Sequence, residues 1–268
     1  MVHPVECRTW IQLVDQDEEP TPSQMSITSK EGKSFYLGKP LTSILQLDLA
    51  ASKVKKGGFK LAAFGTSMPG VFKGEGAEAI CAKRAYDAVE RVVEIGGSLT
   101  KKVVNLPYDG EKQFQYLMME VSCLVWAQAL LDVVYDFIKE AEDFGNLPFH
   151  IPQFRFVKAA IAIEQSSSTS IKKTTFLLED VIDENIEGPF RKYLNNVSPE
   201  PLVMKTKEDD DRAKFLAFTQ HVQYWKTKKQ VFVSDYQGKQ FTITTPTQLT
   251  LFEGGSTLLS DPQISSAG

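Results

Sequence analysis

GGFKLAAFGTSMPGVFKGEGAEAICAKRAYD, residues Gly57 to Asp87, is the stretch that sets the architecture. Gly57 to Thr66 reads as a strand entering a turn. SMPGVFKGEG then gathers glycines and a proline into a short loop. AEAICAKRAYD returns to a strand that carries Lys83 next to Arg84. The order is therefore strand, flexible loop, strand with a lysine. Just upstream, ILQLDLAAS after Ser43 reads as another strand. Further upstream, Gln12 to Ser34 is polar, with two prolines and the acidic run Asp15 to Glu19, and predicts a surface loop or partly ordered tail. Residues 1–40 are accordingly expected to be an N-terminal extension.

Downstream the period changes. From Gly110 to Gly145, apolar residues recur every three or four positions at Leu117, Val121, Leu124, Trp126, Leu130, Val133, Val134, Phe137 and Ile138. This predicts one long helix that stops at Gly145, with its aromatics in the core. Phe154 to Gln165 reads as a single strand, and Thr174 to Asp183 as another that turns polar at Glu179. GPFRKYLNN is a linker, KTKEDDDRAKFLAFTQHVQYW a charged helix start, and QVFVSDYQG a strand closing on an acidic turn. STLLSDPQI ends the pattern, with no internal repeat and no heptad register. The chain reads as α+β, with a natural boundary near Glu179 to Glu184.

Composition narrows the function classes. The chain has 268 residues, 42% hydrophobic and 24% charged, as in ordinary globular proteins. The net charge of −4 gives no support for a nucleic-acid or anionic-membrane partner drawn by charge. No run approaches about eighteen consecutive apolar residues, so no membrane partner is expected. The first residues do not read as a secretory signal, and Cys7, Cys81 and Cys123 are too few and too widely spaced for a zinc cage. A reduced cytoplasmic chain is the expectation.

Several polar positions could carry chemistry. Lys83, at the end of a strand after a glycine-containing loop, can reach anionic oxygens, though a strand lysine more often faces solvent. Neither GxxxxGK[ST] nor GxGxxG is present, so P-loop and Rossmann sites are excluded. Asp235 closes VFVSD and Asp261 closes TLLSD; with Gln237 they could share a hard cation such as magnesium, or they could simply form turns. His221 could orient a carboxylate or nucleotide, or sit hydrogen-bonded in the core. Arg191, Lys192, Asn195 and Asn196 could bind phosphate or ribose hydroxyls, or line a surface.

Taken together, CAKRAY, FLLEDVIDENIEGPFRKYLNN, AFTQHVQY, VFVSDYQGK and LLSDPQI resemble, in order, the landmarks of the atypical alpha-kinase catalytic domain. The resemblance spans roughly Leu41 to Ile264. It implies a two-lobed, protein-kinase-like fold: an N-terminal lobe over 41–173, then a hinge and a truncated C-terminal lobe over 174–268. It implies ATP and Mg2+ as cofactors and a protein substrate accepting phosphate on Ser or Thr. By position, Lys83 matches the lysine on the nucleotide phosphates, and Glu179 the hinge glutamate near adenine. Lys192 with Asn195 or Asn196 matches the segment beside the nucleotide. Asp235 matches the catalytic aspartate, Gln237 and Asp261 the magnesium pair, and His221 a supporting histidine. The family's H-x-C-x-x-x-C zinc segment and its substrate loop have no counterpart here, and GKQFTITTPTQLTLFEGGSTLL is a longer connection than usual. No structural zinc is expected. The same residues also fit a nucleotide-binding pseudokinase or scaffold, or a kinase acting on a small molecule.

Overall fold

Ser43, Leu45 and Leu47 are buried while their neighbours at 42, 44 and 46 are exposed, the two-residue period of a strand with one face in a core. The computed structural model describes residues 2–11, 25–28, 34–37, 41–50, 54–142, 145, 151–165, 174–181, 190–241, 256–260 and 262–266. Its elements begin with β1 (Val2–Ile11), β2 (Met25–Thr28), β3 (Ser34–Leu37), β4 (Leu41–Asp48), β5 (Lys55–Lys56), β6 (Lys60–Met68), β7 (Glu78–Ile95) and β8 (Ser98–Pro107). Helix α1 (Gly110–Glu142) follows, then β9 (Gln153–Phe156), β10 (Ala159–Glu164), β11 (Thr175–Asp180) and β12 (Arg191–Lys192). Helix α2 (Lys207–Lys226) precedes β13 (Val231–Ser234), β14 (Gln237–Phe241), β15 (Ser256–Ser260) and β16 (Gln263–Ser266). Curled antiparallel sheet and helices together make an α+β fold.

The chain divides into two units, Met1–Val121 with Lys158–Val181, and Ser122–Val157 with Ile182–Gly268. These bounds differ from the expected 41–173 and 174–268. The lysine strand and the polar-ended strand pair directly, so the segment around β11 belongs with the first unit. The expected extension also differs: Val2–Ile11 is a strand inside the main sheet, paired antiparallel with β4 on one side and β10 on the other. β2, inside the polar stretch read as a loop or tail, pairs with β3, which starts at the end of that stretch; residues 12–24 and 29–33 lie outside the described residues.

In the first unit the strands run in the order β5-β6-β4-β1-β10-β11-β7-β8, and β6 also pairs with β7, so the sheet closes on itself. Closure brings β6 hard against β4. A Cβ at Gly65 would lie 2.0 Å from the Gln46 carbonyl oxygen, so only glycine fits there. One sheet face is packed by Leu45, Leu47, Ile80, Ala82, Ala160, Ala162, Phe176 and Leu178. The glycine-containing loop folds onto this same face: Val71 is buried in it and Phe72 packs beside it. Its backbone is pinned by the buried Glu78, whose Oε2 accepts from the N–H of Phe72 at 2.7 Å and of Lys73 at 3.3 Å.

Helix α1 starts where Asp109 Oδ1 accepts the Lys112 N–H at 2.9 Å. Leu117, Val121, Leu124, Leu130, Val134 and Ile138 are buried as the periodicity predicts, but Trp126 is 51% exposed and is not a core residue. The helix is long and apolar enough to span a bilayer by composition, although half of that window is buried inside the protein. In the second unit, α1 satisfies the backbone of β9. Tyr135 Oη accepts from the Phe154 N–H at 2.7 Å and donates to the Pro152 carbonyl, and Gln128 Oε1 accepts from the Phe156 N–H at 2.7 Å. The second unit holds the sheet β12-β14-β15-β9, parallel between β15 and β9, and the separate pair β13-β16. The run Phe154 to Gln165, read as one strand, is thus two strands in different sheets, split at Val157 and Lys158.

Candidate functional site

Lys83 and Glu179 come together in the first unit. β7 and β11 pair antiparallel with Lys83 opposite Leu177 and Cys81 opposite Glu179, so the two side chains are diagonal neighbours on one face. The Lys83 ammonium lies 2.8 Å from Glu179 Oε2, and both side chains are almost enclosed, at 11% and 4% exposure. An ammonium held this way by a carboxylate is a pre-oriented positive charge. Glu179, expected near adenine, therefore turns its side chain to Lys83. Arg84, next along β7, sits over the Phe176 ring; burial lowers its pKa, partly offset by Glu164.

Asp235 is built by the second unit. The β13-β16 ladder ends with Ser234 opposite Gln263, and the β14-β15 ladder begins with Gln237 opposite Ser260. Asp235 and Tyr236 are the two residues by which the chain passes from one ladder to the other. Asp235 takes φ +60, a left-handed conformation that a non-glycine residue holds only when its surroundings impose it. Its carboxylate is 13% exposed and its Oδ1 is ion-paired with the Lys192 ammonium. Lys192 stands opposite Gln237 across β12 and β14. The Tyr236 carbonyl accepts from both the Tyr193 and Leu194 N–H groups, at 2.8 and 3.2 Å.

Helix α2 supports this turn from below. Thr206 caps it, its Oγ1 accepting the Asp209 N–H, with Glu208, Asp209 and Asp210 in the first turn. Buried Asp209 takes Arg191 and Arg212 at 3.1 Å each, so Arg191 braces the helix start. Further along, Gln220 Nε2 donates to the Val233 carbonyl at 2.8 Å, and Gln223 Oε1 accepts the Val233 N–H at 2.9 Å. Tyr236 is fully buried; its hydroxyl meets Thr219 Oγ1 at 2.9 Å and accepts from Gln223 Nε2 at 3.1 Å. Burial pushes this phenol up to about 12, against the lowering effect of its Thr219 and Gln223 hydrogen bonds.

The other predicted residues are placed as follows. Asn195 Oδ1 accepts from the Val197 and Ser198 N–H groups at 3.1 and 3.0 Å and shapes its own loop. Asn196 reaches further, donating from Nδ2 to Gln263 Oε1 at 2.9 Å. His221 is exposed, which corrects the expectation of a buried, hydrogen-bonded histidine. Leu216, Thr219, Gln220 and Gln223 occupy the buried face at i, i+3, i+4 and i+7, and position 221 is turned about 100° away from Gln220. Asp261 lies outside the described residues. The polar residues Thr219, Gln220 and Gln223 and the phenol of Tyr236 were not singled out from the sequence. Their signal is there: polar side chains at the spacing of an apolar stripe. Among the described residues, no group of three or more His, Cys, Asp and Glu converges on a metal position. Gln237 offers a neutral oxygen of the kind magnesium accepts.

Solved structures match the chain over nearly its whole length. The alpha-kinase domain of myosin-II heavy chain kinase A in complex with AMP-PNP is 13% identical, with 98% of this chain and 83% of that chain covered and a TM-score of 0.48. The alpha-kinase domain of myosin heavy chain kinase A in complex with ADP gives the same identity, coverage and TM-score. The complex with AMP is 13% identical over 98% and 85% of the two chains, with a TM-score of 0.47. No curated protein matches the chain. The alpha-kinase family model, however, matches residues 80–268, well over half the sequence, from the lysine strand through the Asp235 turn. The chain belongs to the alpha-kinase family.

Proposed function

We propose that this alpha-kinase family member binds ATP and transfers its γ-phosphate to a serine or threonine hydroxyl of a protein, in the cytosol. The observation that carries the reading is the Asp235 turn: a carboxylate held in a left-handed conformation beside Gln237, within the segment matched by the family. In this reading Asp235 faces the incoming hydroxyl and orients it or takes its proton. Lys83, braced by Glu179, faces the nucleotide phosphates. Gln237 and Asp261 would hold magnesium, which when bound supplies charge neutralisation to the phosphates. Lys192, Asn195 and Asn196 border the nucleotide, with Lys192 setting the Asp235 carboxylate by their ion pair.

Isothermal calorimetry with magnesium-ATP tests the nucleotide half of the reading. Lys83→Met removes a charge-assisted contact worth roughly 1.5–3 kcal/mol, so Kd rises about tenfold to a hundredfold. Equal affinity in the two proteins, or no binding by either, contradicts the assignment. A second reading, a nucleotide-binding scaffold, draws on the same Lys192–Asp235 ion pair, which engages the carboxylate that a transfer reaction needs. Binding of ATP without any transfer would favour it.

A further inference from the structure

We propose that Gln223 is the positioning residue of the Asp235 turn, a single buried amide that clamps the chain on both sides of the catalytic carboxylate. The inference rests on the reading of Asp235 given above. Asp235 holds φ +60, a conformation that costs a non-glycine residue of order 1–3 kcal/mol and persists only where neighbours over-determine it. Gln223 touches both neighbours. Its Oε1 accepts the N–H of Val233, two residues before Asp235, and its Nε2 donates to the hydroxyl of Tyr236, one residue after. All three side chains have no measurable exposure, so water cannot replace either bond.

The donors and acceptors leave little choice of residue. Thr219 Oγ1 donates to the Leu216 carbonyl at 2.7 Å, so its contact with Tyr236 is one in which the phenol donates. The phenol oxygen must then receive a proton, while the Val233 N–H must give one. A side-chain amide sets an acceptor oxygen beside a donor NH2 in a fixed fork and satisfies both at once. A carboxylate at 223 could accept from Val233 but could not donate to Tyr236, and leucine could do neither. The same helical turn supplies Gln220, which donates to the Val233 carbonyl, so both backbone polar groups of Val233 are fixed to α2. The helix therefore sets where the Asp235 carboxylate points, and His221, which faces outward on the same helix, does not.

Three variants test this: Gln223→Leu, which removes both bonds; Gln223→Glu, which keeps the acceptor; and Tyr236→Phe, which keeps the Val233 bond and removes the second bond together with the phenol's contact to Thr219. Two readouts are needed. Amide hydrogen exchange is followed at residues 233–237 and compared with the β4 and β6 core. Transfer from magnesium-ATP to a basic Ser/Thr peptide is resolved into kcat and the KM for ATP. With Gln223→Leu, exchange at 233–237 should rise at least about tenfold beyond any change in the core, and kcat should fall about tenfold to a hundredfold with the ATP KM within about twofold, as for a misplaced catalytic group. Gln223→Glu and Tyr236→Phe should fall between wild type and Gln223→Leu. Exchange that rises equally everywhere, an unchanged kcat, or an ATP KM that shifts as much as kcat overturns the proposal. If Gln223→Leu does not fold, Tyr236→Phe decides: wild-type exchange and kcat in that variant also overturn it. If wild type transfers no phosphate, the kinase reading fails, and the exchange comparison by itself upholds or refutes the clamp.

Discussion

Removing one partner of the Lys83–Glu179 pair should cost far more than removing both. At 2.8 Å and an effective dielectric of about 20, the gross attraction is about 6 kcal/mol, most of it offset by the desolvation of two enclosed charges. Truncating either side chain removes the attraction and keeps the other charge in a site of low exposure, so Glu179→Ala and Lys83→Met should each destabilise the protein by about 3–5 kcal/mol. Lys83→Met/Glu179→Leu removes both charges and fills the space with apolar side chains, which Cys81, Ala85 and Leu177 around it accommodate. The double variant should be more stable than either single variant, giving a coupling of at least about 3 kcal/mol. Urea unfolding followed by tryptophan fluorescence measures all four proteins. Losses that add to within about 0.5 kcal/mol would show that the two charges do not support one another.

Two further outcomes follow from packing and titration. Tyr236 has its pKa raised from 10.0 to about 12, so its neutral form favours the folded state; this contribution is complete below pH 10 and is lost as pH rises from about 10 to about 12, worth roughly 2–3 kcal/mol across that window. Thermal melts of Tyr236→Phe between pH 9 and 12 should fall less steeply with pH than those of wild type, and identical slopes would contradict the burial of the phenol. Gly65→Ala puts a methyl 2.0 Å from the Gln46 carbonyl oxygen and 3.0 Å from Leu47 Cα, both backbone atoms that cannot yield without opening the β4-β6 pairing. Circular dichroism should record a loss of about 3 kcal/mol or more, roughly 6–12 °C in Tm, and an unchanged melt would refute this register.

What the sequence discloses here is what local pattern can encode. β4, β6, β11 and both helices follow from alternation or helical period; Glu179 stands on β11, whereas Lys83, expected at the end of a short strand, lies inside the 18-residue β7, which the β8 ladder prolongs. β1 is different. HPVECRTW has a proline, an acid and no clean apolar face, and its central place comes from pairing with residues 41–48 and 160–164, information that no local window contains. β8 escapes for a similar reason: with Lys101 and Lys102 mid-strand and most of its residues exposed, its strand state comes from the β7 ladder rather than from burial. Phe154 to Gln165 contains no glycine, proline or other turn residue, so its division between two sheets cannot be read from it. The site is legible as far as motif residues go. Its supports are not, because Gln220 and Gln223 look like ordinary surface glutamines until the phase of α2 is known, while His221 draws attention and faces outward.

The central claim is that Asp235 serves the transferred phosphoryl group and its acceptor rather than the nucleotide. Transfer of labelled γ-phosphate from magnesium-ATP to a basic Ser/Thr peptide, measured beside ATP affinity for wild type, Asp235→Asn and Asp235→Ala, tests it most directly. Wild type should transfer phosphate, both variants should lose at least about a hundredfold in kcat, and ATP affinity should stay within about twofold throughout, the pattern of an interaction made in the transition state. Asp235→Ala as active as wild type, or a loss of ATP affinity that matches the loss of turnover, would contradict it.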